Sequence, residues 1–329
     1  MTGNAPASAT GTSLAPVVLA GPTASGKSAV ALELAAIANG EIVSVDSMQV
    51  YRGLDVGTAK PSAAERARIP HHLVDVVGLT ESFDAARFVA LATEAIVSIQ
   101  SRGRLPILCG GTGLYFNAWL NGLGTAPAPD PALRAELEAM PLAALLDELA
   151  RRDSVTFDEI DVENRRRVVR AVEVIRITDK PFSQMRAAWP ERAPALAGRS
   201  FGLERPRPEL VARIDRRVDA MFASGLVEET QRLLGQGLAE NRTAMQAIGY
   251  RQVAEHLRGE RGLRDTVELV KVRTRQFAKR QGTWFRGQLD LHWIETPSGD
   301  APEITARRIQ GLLQPSEAAV VQKKPVASE

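Results

Sequence analysis

Short unbroken apolar runs recur through the first third of the chain and return near its end, each followed by a glycine-rich or polar turn and then a helical period. Val17 to Ala20, Ile42 to Val45, His71 to Val77, Leu105 to Cys109, Phe201 to Leu203 and Leu291 to Glu295 read as strands. Their lack of strict alternation is the mark of strands buried on both faces of a parallel sheet. Between them, Lys27 to Ala38 and Phe83 to Gln100 read as helices, the second with Phe88, Leu91, Ala95 and Ile99 near one face. A different pattern fills Pro131 to Pro190, where Leu133, Leu137, Leu142, Leu145, Leu146 and Leu149 keep a helical period without strands. That period breaks at Asp153 to Asp161 and resumes in NRRRVVRAVEVIRI. After it, Pro208 to Ser224 carries the stripe Leu210, Ile214, Val218 and Met221 and stops at Gly225. Leu226 to Gly235 and the run of 25 residues from Leu263 to Gly287 complete the helical readings.

Strands alternating with helices predict an α/β fold, and the strandless stretch predicts a small helical insertion domain within it. The Pro-rich and small-residue segments GLGTAPAPDPAL and Pro190 to Gly198 mark its borders. The expected division is a core from 14 to 124, an insertion from 125 to 198, and a second core part from 199 to 314, with disordered tails at 1–13 and 315–329. The chain of 329 residues is 44% hydrophobic and 24% charged, so it can bury a substantial core. Its net charge is only +2 despite 41 basic residues, so any polyanion site must arise from local clustering. A single cysteine, Cys109, excludes an internal disulfide framework and fits a cytoplasmic protein. Neither a signal-peptide pattern nor a membrane-spanning apolar run is present, and His71, His72, His256 and His292 lack zinc-ligand spacing.

Chemistry enters at GPTASGKS, Gly21 to Ser28, between the first strand and the first helix. The pattern G-x-x-x-x-G-K-[ST] makes a phosphate-binding loop. Glycines let backbone N–H groups converge on an anion, Lys27 adds a point charge, and the Ser28 hydroxyl is placed to ligate Mg²⁺. The fold is therefore expected to be a P-loop NTPase-like parallel sheet flanked by helices. Asp46 falls at the C-terminal end of the second strand, on the sheet edge where ligands bind in such folds, so Asp46 and Lys27 can face one site. A second glycine-rich turn, GGTGLYF, puts Thr112 on the same edge, either presenting its hydroxyl to a ligand or capping the following helix. Far along the chain, Lys271, Arg275 and Lys279 recur at i+4, with Arg273, Arg280 and Arg286 nearby and Phe277, Trp284 and Phe285 among them. This helix reads either as a polyanion contact or as a salt-bridged surface; its aromatics read as core or base-stacking groups.

Taken in order, GPTASGKS, SVDS followed by GTAKP, GGTGLYF, the IGYRQ box and RQFAKRQGTWFR resemble the bacterial tRNA dimethylallyltransferases. The resemblance covers about residues 16 to 295. It implies transfer of a dimethylallyl group from dimethylallyl diphosphate to N6 of the adenosine 3′ of the anticodon, in tRNAs reading codons that begin with U. In that case Gly21, Thr23, Ala24, Ser25, Gly26, Lys27 and Ser28 hold the donor's diphosphate, with Mg²⁺ on Ser28. Asp46, Thr112 and Arg217 become the catalytic set, Arg217 being chosen over Arg213 and Arg216 by the alignment of ELVARIDRRVDAMFASG. The resemblance further implies contacts to the tRNA anticodon stem-loop from Asp46, Ser47, Met48 and Gln49, and from Arg166, Arg167 and Arg170. Gln246, Gly249, Tyr250 and Arg251 join them, as do Lys279, Arg280, Gln281, Trp284 and Arg286. It also implies a monomer. The competing readings are a P-loop small-molecule kinase or NTPase, an adenylate isopentenyltransferase using a free nucleotide as acceptor, and an RNA-binding scaffold with a vestigial loop. The basic C-terminal half and the intact Lys27, Ser28 and Asp46 set argue against the last two.

Overall fold

The structure is a computed structural model, and it describes residues 14–186, 196, 198–297 and 299–313. Both expected tails, and most of the linker from Pro190 to Gly198, lie outside these residues. The chain divides into two compact units, one formed by Met1–Leu120 with Glu191–Glu329, the other by Asn121–Pro190.

In the first unit the order is β1 (Val17–Ala20), α1 (Lys27–Ile37), β2 (Gly40–Val45), α2 (Ala63–Arg68), β3 (His71–His72), α3 (Ala85–Ser101), β4 (Leu105–Gly110) and α4 (Gly113–Asn121). The second unit holds α5 (Pro131–Ala139), α6 (Leu142–Arg152), α7 (Ser154–Glu159), α8 (Arg165–Thr178) and α9 (Phe182–Met185). The first unit then resumes with β5 (Ser200–Glu204), α10 (Arg207–Ala223), α11 (Leu226–Leu234), α12 (Tyr250–Leu257), α13 (Leu263–Gln288), β6 (His292–Glu295) and α14 (Pro302–Leu313).

The six strands form one parallel sheet in the order β3-β2-β4-β1-β5-β6. Every residue of β1, β2 and β4 is buried, as strands covered on both faces must be. Alternate side chains feed two cores, because successive residues of a strand point to opposite faces. Val18, Val43, Val45 and Leu108 join Phe88, Ile96 and Ile99 of α3, together with Tyr250 and Phe285. Val17, Leu19, Ile42 and Ile107 instead join Val30 and Leu34 of α1 and Ile309 of α14. The β1 and β4 turns and the end of β2 therefore open on one sheet edge.

Two sequence readings are corrected. The strand expected from His71 to Val77 stops at His72, because Leu73 and Asp75 take positive φ values of 61° and 59°, and only a single bridge from Tyr51 to Val77 continues the pairing. The helical break expected at Asp153 to Asp161 contains α7, which Asp153 caps by accepting the Thr156 N–H at 3.1 Å. The second unit has its own small core of Leu137, Leu145, Leu149, Val168, Val172 and Ile175.

Candidate active site

The site starts from the turn after β1. Ala24 and Gly26 adopt the left-handed region, with φ of 62° and 100°, and Gly26 is the residue from which α1 starts. The first N–H groups of a helix have no intrahelical acceptor, so those of Lys27, Ser28 and Ala29 face outward with the positive end of the helix dipole. The Ser28 hydroxyl is exposed. The Thr23 N–H is engaged elsewhere, donating to Gln281 Oε1 at 2.8 Å, and the Ser25 N–H turns back to the Pro22 carbonyl.

The outer side of the loop is held by two arginines that sequence reasoning did not assign. Arg205 Nε donates to the Ser25 carbonyl at 2.8 Å, and Arg213 Nε donates to the Ala24 carbonyl at 2.9 Å. The two arginines thereby hold the carbonyl side of the turn. Arg213 and Arg217 lie at i and i+4 on α10 and so share one face of the helix. Arg217 Nη2 reaches the Thr58 carbonyl at 3.4 Å.

Asp46 directly follows β2. Its Oδ1 accepts the N–H groups of Met48 at 2.8 Å and Gln49 at 3.2 Å, an Asx turn that fixes the carboxyl and leaves its other oxygen out of the turn. Thr112 Oγ1 accepts the Ser47 N–H at 3.1 Å, and the Thr112 N–H donates to the Val45 carbonyl at 3.1 Å, so the β2 and β4 turns are stitched together. Gln49 in turn donates to the carbonyls of Thr58 and Ala59.

Electrostatics tie these parts into one site. Burial pushes Lys27 below its ordinary value, while Cys109 and Asp46 draw it up and Arg217 depresses it further. Burial likewise lowers Arg217, with Asp46 acting in the opposite sense. Burial pushes the Cys109 thiol up to about 12, with Lys27 pulling it down. Two half-buried cations beside one carboxylate leave a net positive charge, an arrangement that favours an incoming anion.

The other sequence-assigned residues fall into distinct settings. Tyr250 is fully buried, accepts the Gly57 N–H at 3.1 Å and donates to Glu229, which also accepts the Asp55 and Val56 N–H groups. Tyr250 therefore shapes the loop that carries Thr58. Gly249 is buried, Gln246 is exposed, and exposed Arg251 pairs with Glu255. On α13, Lys279 and Arg280 are exposed, Gln281 is buried, and Trp284 packs where a Cβ on Gly113 would come within 2.2 Å of its ring. Arg286 pairs with Glu204 and lies 4.9 Å from the Trp293 ring centroid. The stripe read on α13 is interrupted. Lys271 pairs with Asp219 at 2.8 Å and Arg275 with Asp215 at 2.6 Å, so two of its three cations bind α10 instead of presenting free charge. In the helical unit, Arg166 and Arg167 are exposed, whereas Arg170 bonds Glu173 at 2.6 Å and the Pro127 carbonyl.

Among the described residues no cluster of three His, Cys, Asp or Glu side chains is arranged to hold a metal, and no helix is long and apolar enough to cross a membrane.

A glycine-rich turn at a helix N-terminus, with a carboxylate and two cations on the same edge of a parallel sheet, places the protein in the P-loop-like α/β class. Comparison with known proteins narrows the class. Residues 49–288 match the family model for IPP transferase. The chain is 48% identical over 289 residues to tRNA dimethylallyltransferase 1 of Trichlorobacter lovleyi, covering 87% of this chain and 95% of that one. It is 47% identical to the tRNA dimethylallyltransferase of Anaeromyxobacter dehalogenans, covering 89% and 98%. The tRNA isopentenylpyrophosphate transferase of Bacillus halodurans superposes with a TM-score of 0.66 at 38% identity, over 90% of this chain and 96% of that one. A eukaryotic dimethylallyltransferase acting on tRNA superposes with a TM-score of 0.70 at 28% identity, over 86% and 74%. The chain belongs to the IPP transferase family.

Proposed function

We propose that this protein transfers the dimethylallyl group of dimethylallyl diphosphate to N6 of the adenosine 3′ of the anticodon in tRNAs reading codons that begin with U, releasing diphosphate. The observation that carries this reading is the geometry of one sheet edge: the Gly21 to Ser28 turn, held on its carbonyl side by Arg205 and Arg213, opens beside Asp46, whose carboxyl is fixed by the Met48 and Gln49 N–H groups and whose turn is tied to Thr112. It joins an anion site to a single carboxylate, as substitution at an allylic carbon by an amine requires.

In this reading the diphosphate lies on the N–H groups at the start of α1, between Lys27 and Arg217. The N6 lone pair bonds to the allylic carbon as the carbon–oxygen bond breaks, and the electron pair leaves with diphosphate. Asp46 accepts the proton that N6 gives up; such positioned bases contribute about 10² to 10⁴ in rate. The Thr112 N–H and hydroxyl hold the Asp46–Ser47 turn against the end of β4. Lys27, Arg217 and the helix dipole stabilise the charge that develops on the leaving group, a preorganised arrangement of the oxyanion-hole kind.

A Mg²⁺ ion suits this donor set. One exposed serine hydroxyl, with no acidic cage around it among the described residues, fits an ion that arrives on diphosphate oxygens and keeps several waters. Bound through Ser28, the ion would neutralise diphosphate charge.

For the acceptor, the exposed Arg166, Arg167, Arg251, Lys279, Arg280 and Arg286 are candidates for backbone phosphates of the anticodon stem-loop. Ser47, Met48 and Gln49, next to Asp46, would border the extruded adenine, since an enzyme working on a base must take it from its stack. Gly249, Tyr250 and Trp284 act from beneath, by shaping the loops. A cytoplasmic monomer completes the reading.

The test is incubation with unmodified tRNA, Mg²⁺ and dimethylallyl diphosphate, followed by nuclease digestion and mass analysis. The expected product is a dimethylallyl adduct confined to the anticodon-adjacent adenosine. Absence of the adduct, with the donor and tRNA both bound, contradicts the reading.

A further inference from the structure

Gln281 lies on α13, seven residues short of the end of the helix and among the residues to which family resemblance gives a tRNA contact. The residue is only 8% exposed, and both ends of its amide are engaged within the fold. Oε1 accepts the Thr23 N–H of the first glycine turn at 2.8 Å. Nε2 donates to the Gly111 carbonyl of the second turn at 2.9 Å. One amide thus bridges the β1 turn at Thr23 and the β4 turn at Gly111, which are 88 positions apart in sequence. The space is closed on the far side: a Cβ on Gly111 would sit 2.4 Å from Nε2 and 3.7 Å from the Gly21 carbonyl.

We infer that Gln281 is a positioning residue for the donor's diphosphate: it holds the two glycine turns at a fixed spacing and does not read the tRNA. This rests on the proposed role of the Gly21 to Ser28 turn as the diphosphate site. By accepting the Thr23 N–H, the amide orients the peptide that leads into the left-handed Ala24 and so fixes the direction of the N–H groups that follow. By donating to Gly111, it anchors the residue immediately before Thr112, whose N–H and hydroxyl hold the Asp46 turn. The leaving-group site and the base are therefore registered against each other through a single side chain. Arg205 and Arg213 brace the same turn on its carbonyl side, so the amide completes a three-point support. Asparagine would be too short to span the two turns, and arginine or lysine offers no acceptor for Thr23.

The experiment compares Gln281→Met, which keeps the length but removes both hydrogen bonds, with Gly111→Ala, which pushes the amide out from the other side. Inorganic pyrophosphate with Mg²⁺ is titrated into each protein calorimetrically, and unmodified tRNA is titrated separately by filter binding. Each single variant is expected to weaken pyrophosphate binding about tenfold, the cost of losing one or two buried hydrogen bonds. Affinity for tRNA should stay within about twofold, and the KM for dimethylallyl diphosphate should rise far more than kcat falls. The double variant should bind pyrophosphate no worse than the weaker single one, because both changes break the same support. A tenfold loss of tRNA affinity with unchanged pyrophosphate binding overturns the inference, as does a double variant whose losses multiply. Gln281→Glu, which keeps shape and the acceptor for Thr23 but loses the donor to Gly111, replaces Gln281→Met if that variant does not fold. Lys27→Ala separates the two levels. If it binds pyrophosphate like the parent, the diphosphate role of the turn fails and the inference falls with it. If it loses binding while the Gln281 and Gly111 variants keep it, only the positioning role falls.

Discussion

The arginines of α10 and those of α8 look alike in sequence, clustered in amphipathic helices with valines and isoleucines behind them, yet the fold uses them oppositely. On α10, Arg213 reaches the Ala24 carbonyl and Arg217 the Thr58 carbonyl, so both guanidinium groups work on turns at the ligand edge of the sheet. On α8, Arg165 turns to the carbonyls of Leu137, Glu138 and Met140 at the end of α5, and Arg176 pairs with Glu148 and Glu136. These close the helical unit on itself, a cation meeting the negative end of a helix dipole. What separates the two sets is the acceptor within reach. Beside α10 the carbonyls belong to the glycine-rich turn after β1 and to the loop that carries Thr58; around α8 they belong to helix ends that need capping.

The contrast is broken most severely at the turn itself. Lys27→Ala should lower kcat by about 10² or more and raise the donor KM, measured by steady-state prenylation, because it removes preorganised charge from the leaving group. Retained turnover would detach the α10 arginines from any diphosphate role. Next in size, Arg213→Ala should weaken pyrophosphate binding by about tenfold or more, the worth of a charged hydrogen bond to a loop carbonyl, while tRNA binding holds. If instead Arg213→Ala acts only on thermal stability, the two arginine sets are not different in kind.

The helical unit should respond in the opposite sense. Arg165→Ala is expected to lower its stability by about 1–2 kcal/mol in denaturant unfolding, with kcat little changed at saturating substrates, since it uncaps α5. Arg167→Ala should leave the melting temperature alone, weaken tRNA binding and reduce its salt slope by about one.

The smallest effect concerns pH. The hydrogen bond from Arg176 holds the Glu148 carboxyl below the ordinary carboxylate range, against a smaller upward push from burial. A carboxyl depressed on folding stabilises above its unfolded value near 4.5 and loses that contribution as pH falls through its folded value. Melting of Glu148→Gln should therefore fall less than the parent's between neutral pH and pH below 4.5. Parallel curves would remove this pair from the account of the helical unit.

Sequence legibility follows the range of the interactions. The β1, β2 and β4 runs and the Gly21 to Ser28 turn are readable because contiguous residues carry them. Asp46 is readable because it terminates an apolar run. The short β3 is not, since the positive φ of Leu73 and Asp75 is set by the surrounding loop and not by residue type. Asp153 capping α7 through Thr156 had a local signal, the D-x-x-T spacing, which the polar surroundings of that stretch obscured. Arg205, Arg213 and Gln281 had none. Their partners lie 180, 189 and 258 positions away, so only the folded sheet edge reveals that an arginine in a surface-like helix, or a glutamine in a basic one, supports the Gly21 to Ser28 turn.

The central claim is that one carboxylate and one anion turn divide the reaction between them. It is tested most directly by single-turnover transfer with Asp46→Asn, the tRNA and dimethylallyl diphosphate being bound beforehand. The account predicts a transfer rate lower by about 10² or more, with dissociation constants for donor and tRNA within about twofold of the parent, because the amide keeps the Met48 turn but accepts no proton. An unchanged transfer rate would contradict it.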